Sequence, residues 1–154
     1  MKKYDFSHRF GFLVNEVGRL YGRQFDHVSR ERLGLSRAQV RLIGAVATNE
    51  GDRPWTQSEL AQRLDLTAMG VATLCDRMEA GGWIGRQPSP TDRRANAIAL
   101  QPKAHAALDA ALEISDEMHE TALAGFNAAE RKQLVSMLQR VRANLATPAA
   151  RGKE

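Results

Sequence analysis

Three arginines and a threonine carry most of the chemistry this chain offers: Thr73 and Arg77, four residues apart, and the adjacent pair Arg93-Arg94. On a helix, that i, i+4 spacing puts Thr73 and Arg77 on one face, together with Met69, Gly70 and Ala80. A guanidinium so placed can make two parallel hydrogen bonds to a guanine or a phosphate. Arg93 and Arg94 close PSPTDRR, where two prolines and a Thr-Asp pair favour a turn over a continuing strand. Arginines at such a tip can bond phosphate or enter a narrow minor groove. A carboxylate suits neither task, so Asp92 is predicted to shape the tip by bonding backbone or a neighbouring arginine. Two arginines in a turn also fit a plain solvated hairpin. The segment upstream decides between the two.

There Thr56 and Glu59 form a T-x-x-E capping box, each side chain satisfying a free backbone N–H at a helix start. Leu60, Ala61 and Leu64 follow on one face of that helix. Asp65-Leu66-Thr67 ends the pattern and supplies a second N-cap at Thr67. In the helix over 67–80, Val71, Leu74, Cys75 and Met78 recur at i, i+3, i+4, i+7 and face a core. Gly81-Gly82 stops it, because glycine reaches the left-handed conformation of a C-terminal cap. Trp83 and Ile84 then open a strand, and IGRQ and ANAIAL flank the turn as short strand-like runs. Two short helices joined by a tight turn and followed by a charged hairpin predict a winged helix-turn-helix, a shape that docks on duplex DNA. The fold class is mainly α with a small β-hairpin wing.

Longer helices flank this reader. Phe10, Leu13, Val14, Val17, Leu20, Tyr21, Phe25 and Val28 follow a helical period, predicting an amphipathic helix over residues 6–31. Gly11, Asn15, Gly18 and Gly22 form a second stripe, although each interior glycine costs about 1 kcal/mol relative to alanine. Close approach of another helix would compensate; a kinked helix is the alternative. Leu33-Gly34-Leu35-Ser36 breaks that helix and caps the next, which Val40, Ile43 and Ala47 line on one side. Gln101-Pro102 starts a helix whose inward face is read as Leu108, Ala111, Leu112, Ser115, Met118 and Ala122. Asn127 and Glu130 form another capping box. Leu134, Val135, Leu138, Val141 and Leu145 mark the face of a last helix. The expected organisation is a dimerisation helix over 1–34, the DNA-binding domain over 35–101, dimerisation helices over 102–147 and a loose tail over 148–154. The outer apolar stripes have little of their own chain to cover them, so a homodimer is expected, with two recognition helices about one DNA turn apart on a pseudo-palindromic site.

The 154 residues and 43% hydrophobic content fit a globular chain with a real core. Net charge is +4, distributed as nine basic against five acidic residues over 1–50, seven against six over 51–103, and six against seven over 104–154. The basic excess thus sits in the N-terminal and central parts. The acids Asp109, Glu113, Asp116, Glu117 and Glu120 read as a solvated face or one turned away from DNA. No run of 18 apolar residues occurs and the N-terminus lacks a signal-peptide core, which predicts a cytoplasmic protein with no membrane partner.

Enzyme chemistry needs a nucleophile, a base and an orienting group, or a metal, in one place. His8, His27, His105 and His119 are isolated, there is no glycine-rich phosphate loop, and neither metal nor cofactor spacing is present. No catalytic activity is expected. One cysteine excludes an internal disulfide framework. On the apolar face of its helix, Cys75 reads as core packing, and the thiol is expected to be inert for want of a cationic neighbour.

LGLSRAQVRLIGAVA, TQSELAQRLDLTAMGVATLCDRMEAGGWIGR and the D-R-R wing, with the alternating strand and Pro-led helix after it, together resemble the MarR (multiple antibiotic resistance regulator) family. The resemblance covers nearly the whole chain. It implies a homodimer with intertwined outer helices, a winged helix on each subunit, and repression relieved by a small molecule. It also implies DNA contacts from Met69, Gly70, Thr73 and Arg77 on the recognition helix and from Arg93 and Arg94 on the wing. Members often carry Thr-Arg or a similar polar pair midway along that helix, where this chain has Ala72-Thr73, so its base readout is expected to differ. Oxidant sensors among them place the reactive thiol near the first helix, unlike Cys75. Small anionic aromatics lodge between dimerisation helices and winged domain in the family. Carried onto this chain, that implies Arg19 and Arg41 for a carboxylate, with Asn15 and Trp55 as polar and aromatic wall. The expectation is a dimeric repressor released from its operator by such a ligand. Two alternatives stand beside it, a winged helix that binds protein and an architectural DNA binder that answers to no effector.

Overall fold

The helix starts that the sequence marks with polar caps are helix starts in the structure. The computed structural model describes residues 4–49, 53–92 and 95–146. Its elements run α1 (Phe10–Leu33), α2 (Arg37–Ala47), α3 (Gln57–Leu64), α4 (Ala68–Ala80), β1 (Ile84–Pro88), β2 (Asn96–Leu100), α5 (Pro102–Ala122) and α6 (Ala128–Ala146). Among the described residues no helix is long and apolar enough to cross a membrane. The chain divides into two compact units, Met1–Asp116 and Glu117–Glu154, with the boundary inside α5.

In the first unit, α1 begins four residues later than its apolar period suggests. Asp5 Oδ1 accepts from Ser7 N–H at 2.8 Å and Phe6 O from Arg9 N–H at 2.9 Å, so the preceding residues form a turn instead. The helix ends at Gly34, whose φ of 66° is the left-handed conformation that glycine adopts without a Cβ penalty. Asp26 then joins α1 to α2, accepting from Arg30 Nε at 2.7 Å and from Arg37 N–H at 2.8 Å. Those bonds hold its carboxyl below the usual aspartate range. Ser36 and Gln39 form the capping box of α2, and Thr56 and Glu59 that of α3. Arg53 ion-pairs with Glu59, and that hydrogen bond, with the Thr56 backbone N–H next in weight, lowers the carboxyl to about 2.

The core of this unit is Leu35, Leu42, Ile43, Leu60, Val71, Cys75, Met78, Ile84 and Ile98, each at most 2% exposed. α2, α3 and α4 supply most of it. The wing closes it from below: β1 pairs antiparallel with β2 from Ile84 opposite Leu100 to Pro88 opposite Asn96, and Thr56 adds a single bridge to Ala97. The α5 face departs from expectation. Ala104, Ala111 and Ile114 are buried and Leu108 reaches to within 3.9 Å of a Cβ position on Gly44, whereas Leu112 is exposed. Apolar residues ring α5 more widely than one face, and periodicity alone did not reveal which side the rest of the unit covers.

In the second unit, Asn127 and Glu130 exchange capping bonds at 2.8 and 2.9 Å. Arg131 ties the turn before α6 together, donating to Glu120 Oε1 at 2.7 Å and to the Leu123 and Phe126 carbonyls. No residue of α6 is buried. The expected tail over 148–154 lies outside the described residues.

Candidate nucleic-acid interface

α4 is held at both ends by local chemistry. The Thr67 hydroxyl accepts from Gly70 N–H at 3.0 Å. A Cβ on Gly70 would stand 3.1 Å from that same hydroxyl, so glycine at 70 leaves the cap undisturbed. The turn from α3 passes through Asp65 at φ 54°, a left-handed residue that aspartate tolerates better than most. At the other end the two glycines divide the work, which corrects the sequence-based expectation. Gly81 stays right-handed at φ −76°, and it is Gly82 that turns left-handed at φ 72°. Gly81 is needed for packing instead, since a Cβ there would fall 2.7 Å from Trp83 Cδ1. Lys103 lies 4.1 Å from the centre of the Trp83 ring and donates to Gly81 O, which ties the start of α5 to the end of α4.

With Val71, Cys75 and Met78 buried, the opposite face of α4 is open to solvent. Met69 is 79% exposed at its N-terminal end, Thr73 and Arg77 are exposed behind it, and Gly70 is half-buried. Arg77 makes no ion pair with any described residue. A guanidinium, a hydroxyl and a thioether thus present one row, with the positive charge towards the C-terminal end. Arg93 and Arg94 lie outside the described residues. The backbone carbonyl of Asp92 accepts from Ala95 N–H at 3.1 Å.

Two residues that sequence reasoning missed organise the wing. Ser89 is buried between the two prolines, where its hydroxyl accepts from Thr91 N–H at 3.4 Å and Asp92 N–H at 3.3 Å. A serine two and three residues before free N–H groups is the signal that would have revealed it. Arg86, on β1, sends its guanidinium to α4, donating to Asp76 Oδ1 at 2.6 Å, Glu79 Oε2 at 3.2 Å and Ala72 O at 3.4 Å. Its clue was strand alternation, which puts Arg86 on the same side as buried Ile84. Burial opposes the charge on Arg86, yet the bond and attraction to Asp76, with Glu79 behind, outweigh it and raise its pKa.

Arg86 also corrects the reading of Cys75. The thiol has a cationic neighbour after all. Burial nevertheless dominates and pushes the thiol up, while Arg86 pulls it down and Asp76 and Glu79 add to the rise. With no exposed surface and a pKa above the ordinary cysteine value, it remains a packing residue.

The four residues expected around a small ligand are each engaged nearby. Asn15 Nδ2 donates to Gly11 O at 2.7 Å, and Arg19 stands 3.9 Å from Glu16. Arg41 Nη2 donates to Leu64 O at 3.3 Å, at the C-terminal end of α3 where a cation is favoured. Trp55 Nε1 donates to Ala45 O at 3.0 Å, and Arg63 lies 5.5 Å from its ring centre. Trp55 O accepts from Ile98 N–H at 3.0 Å, so this residue fastens the wing to the helices. None of these bonds joins one of the four to another.

A capped helix pair whose second member bares a polar face, followed by a two-stranded wing, defines the winged helix-turn-helix class of DNA-binding proteins. The profile of the MarR family matches residues 33–95, which span that unit. A protein assigned to transcriptional regulation of the hcr operon in Thauera aromatica is 28% identical over 128 residues, covering 82% of this chain and 75% of that one. Among solved structures, wild-type MarR from E. coli superposes with a TM-score of 0.76 at 21% identity, over 86% of this chain and 96% of that chain. MepR of Staphylococcus aureus, solved in complex with DNA, gives 0.72 at 22% identity, over 88% and 97%. Residues 33–95 thus match the MarR family model, and the superpositions show the same fold. The curated relatives with an assigned role are transcriptional regulators.

Proposed function

We propose that this protein is a DNA-binding transcriptional regulator, a homodimeric repressor that reads a pseudo-palindromic operator with α4, grips the flanking backbone with its wing, and is released by a small ligand of aromatic or phenolic type. The observation that carries the DNA-reading half is the α4 face itself, on which Met69, Thr73 and Arg77 stand exposed while Val71, Cys75 and Met78 on the other side are buried and Leu74 is half-buried. In this reading Arg77 bonds a base edge and Met69, Gly70 and Thr73 line the groove wall. Arg93 and Arg94 meet phosphates, and Asp92 helps to hold their turn. The dimer is supported by the uncovered apolar residues of α1 and α6, which would be costly to leave in water. Repression and ligand release rest on family resemblance. Asn15, Arg19, Arg41 and Trp55 are proposed only as residues that a ligand would have to win from their present partners.

Fluorescence-anisotropy titrations against operator and scrambled duplex at several salt concentrations test this. Arg77→Ala should cost about 1–3 kcal/mol on operator DNA, concentrated at particular base pairs. Arg94→Ala should weaken binding to both duplexes and flatten the slope of log affinity against log salt by about one unit. Equal affinity for operator and scrambled DNA with no response to any ligand would favour the architectural binder. Negligible affinity for any duplex would leave the protein-binding module.

A further inference from the structure

The wing is a two-stranded hairpin, and such hairpins are marginal on their own. Its base is well held: Ile84, Ala97 and Ile98 are buried, and Thr56 and Trp55 bond β2. Beyond that base the strands carry exposed Gln87, Pro88 and Asn96 towards the tip. Arg86 pairs with Ile98 within that base, and Gln87, the next residue towards the tip, is exposed. The Arg86 side chain is only 19% exposed, and its two terminal nitrogens reach three acceptors on α4, at Ala72, Asp76 and Glu79, across two turns of that helix. A planar fork bonded at several points fixes orientation as well as distance.

We infer that Arg86 is a positioning residue for DNA binding, whose guanidinium clamps the outer wing to the flank of α4 so that the helix face and the wing tip meet the duplex at a set separation. The clamp works through other residues, because Arg86 itself is turned towards α4. It also gives Asp76 and Glu79 a reason to stand beside Arg77 on a helix that approaches phosphates: they hold the wing, and Arg86 offsets their charge. The inference rests on the DNA-binding reading proposed above.

Its test has two arms. In the first, a nitroxide is placed on Asn96→Cys in a Cys75→Val background, and spin-label mobility is compared with and without Arg86→Gln in the full chain, free of DNA. Mobility should rise when the clamp is cut; an unchanged spectrum overturns the inference. Should Arg86→Gln fail to fold, Asp76→Asn with Glu79→Gln severs the same bonds from the helix side and is read by the same spectrum. The second arm is a double-mutant cycle on operator DNA. Arg86→Gln should lower affinity about tenfold with the wing arginines present, and by less than about threefold in an Arg93→Ala, Arg94→Ala background. Arg86→Lys, which keeps charge but not the fork, should restore part of the loss. Equal losses in both backgrounds mean that the effect does not run through the wing, and overturn the positioning role. If Arg93→Ala with Arg94→Ala itself costs nothing, the wing reading under the proposed function fails and takes the DNA role of the clamp with it, while the mobility arm still reports whether Arg86 holds the hairpin.

Discussion

The winged helix and the outer helices of this chain solve the same problem differently. In α2, α3, α4 and the wing, apolar residues meet one another within a single chain, and Leu42, Leu60, Val71 and Met78 have no exposed surface. α1 and α6 carry equally regular apolar stripes, yet Val17 is 61% and Leu145 77% exposed, with Phe10, Leu13, Val14, Leu20, Val135 and Leu138 also open. Before α1, Tyr4 and Phe6 stack at 6.1 Å and Phe12 lies 6.4 Å from Phe6, so even the aromatic residues find mainly each other. One region is complete in one copy. The other has the periodicity of a core without the core, which is the pattern expected of helices that bury their faces in a second subunit.

Breaking the self-contained half should have the largest effect. Leu60→Ala removes a fully buried side chain between α3 and its neighbours and should cost about 2–5 kcal/mol, read as a lower denaturant midpoint. That loss should persist at every protein concentration, since the cavity lies within one chain; a loss that disappears on concentrating the protein would erase the contrast drawn above.

Next comes the outer half. A Cβ on Gly18 would meet nothing within 4 Å in its own chain, and one on Gly22 would meet only the Arg37 guanidinium, at 3.0 Å. Gly22 therefore has a close neighbour within the chain and Gly18 has none. Gly18→Leu should leave helicity intact while weakening the proposed dimer by about 1–3 kcal/mol through overpacking where the copies would meet. Sedimentation velocity checks it, and an undisturbed dimer would show that the small-residue stripe has no part in pairing.

A smaller effect sharpens the account of the winged helix. The Glu59 carboxyl, lowered from 4.5 to about 2 by Arg53 and the Thr56 backbone, favours the folded state only when ionised. Its contribution is present above about pH 4.5 and lost as the pH falls towards 2, so thermal stability should drop across that window in the wild type and less in Glu59→Gln. At pH 7 that variant should be less stable by up to about 1 kcal/mol through loss of the part-exposed Arg53 ion pair, because the glutamine oxygen can still accept in the capping box. Melting curves from pH 2 to 7 would show whether the two proteins converge at the acid end, as this requires.

The smallest change is expected at Cys75. With its thiol buried and raised, Cys75→Val should preserve operator affinity both before and after mild peroxide. Wild-type protein that releases DNA on oxidation, beside a variant that does not, would turn this core residue into a sensor.

Much of the winged helix was legible from local pattern because its determinants are local. Thr56, Glu59, Thr67 and Asn127 act on backbone groups three residues away, so a capping motif names a helix start without reference to the rest of the fold. Val71, Cys75 and Met78 follow from the helical period, and with them the outward row of Met69, Thr73 and Arg77. The misses share the opposite cause. Arg86 reaches 10 residues back to Asp76, Lys103 reaches 22 to Gly81, and Tyr21 hydroxyl meets Ser115 at a separation of 94. The bonds of Arg41 and Trp55 to carbonyls at Leu64 and Ala45, 23 and 10 residues away, are likewise beyond local pattern.

By itself, then, the sequence determined where the capped helices begin and which side of α4 is polar, since those depend on hydrogen bonds and periodicities a few residues long. Tertiary structure alone decided which of several apolar faces is covered, as with Ile114 in place of Leu112, and which arginine is bound rather than free. Burial and ion pairing depend on what another segment brings alongside, and no spacing within one segment contains that information.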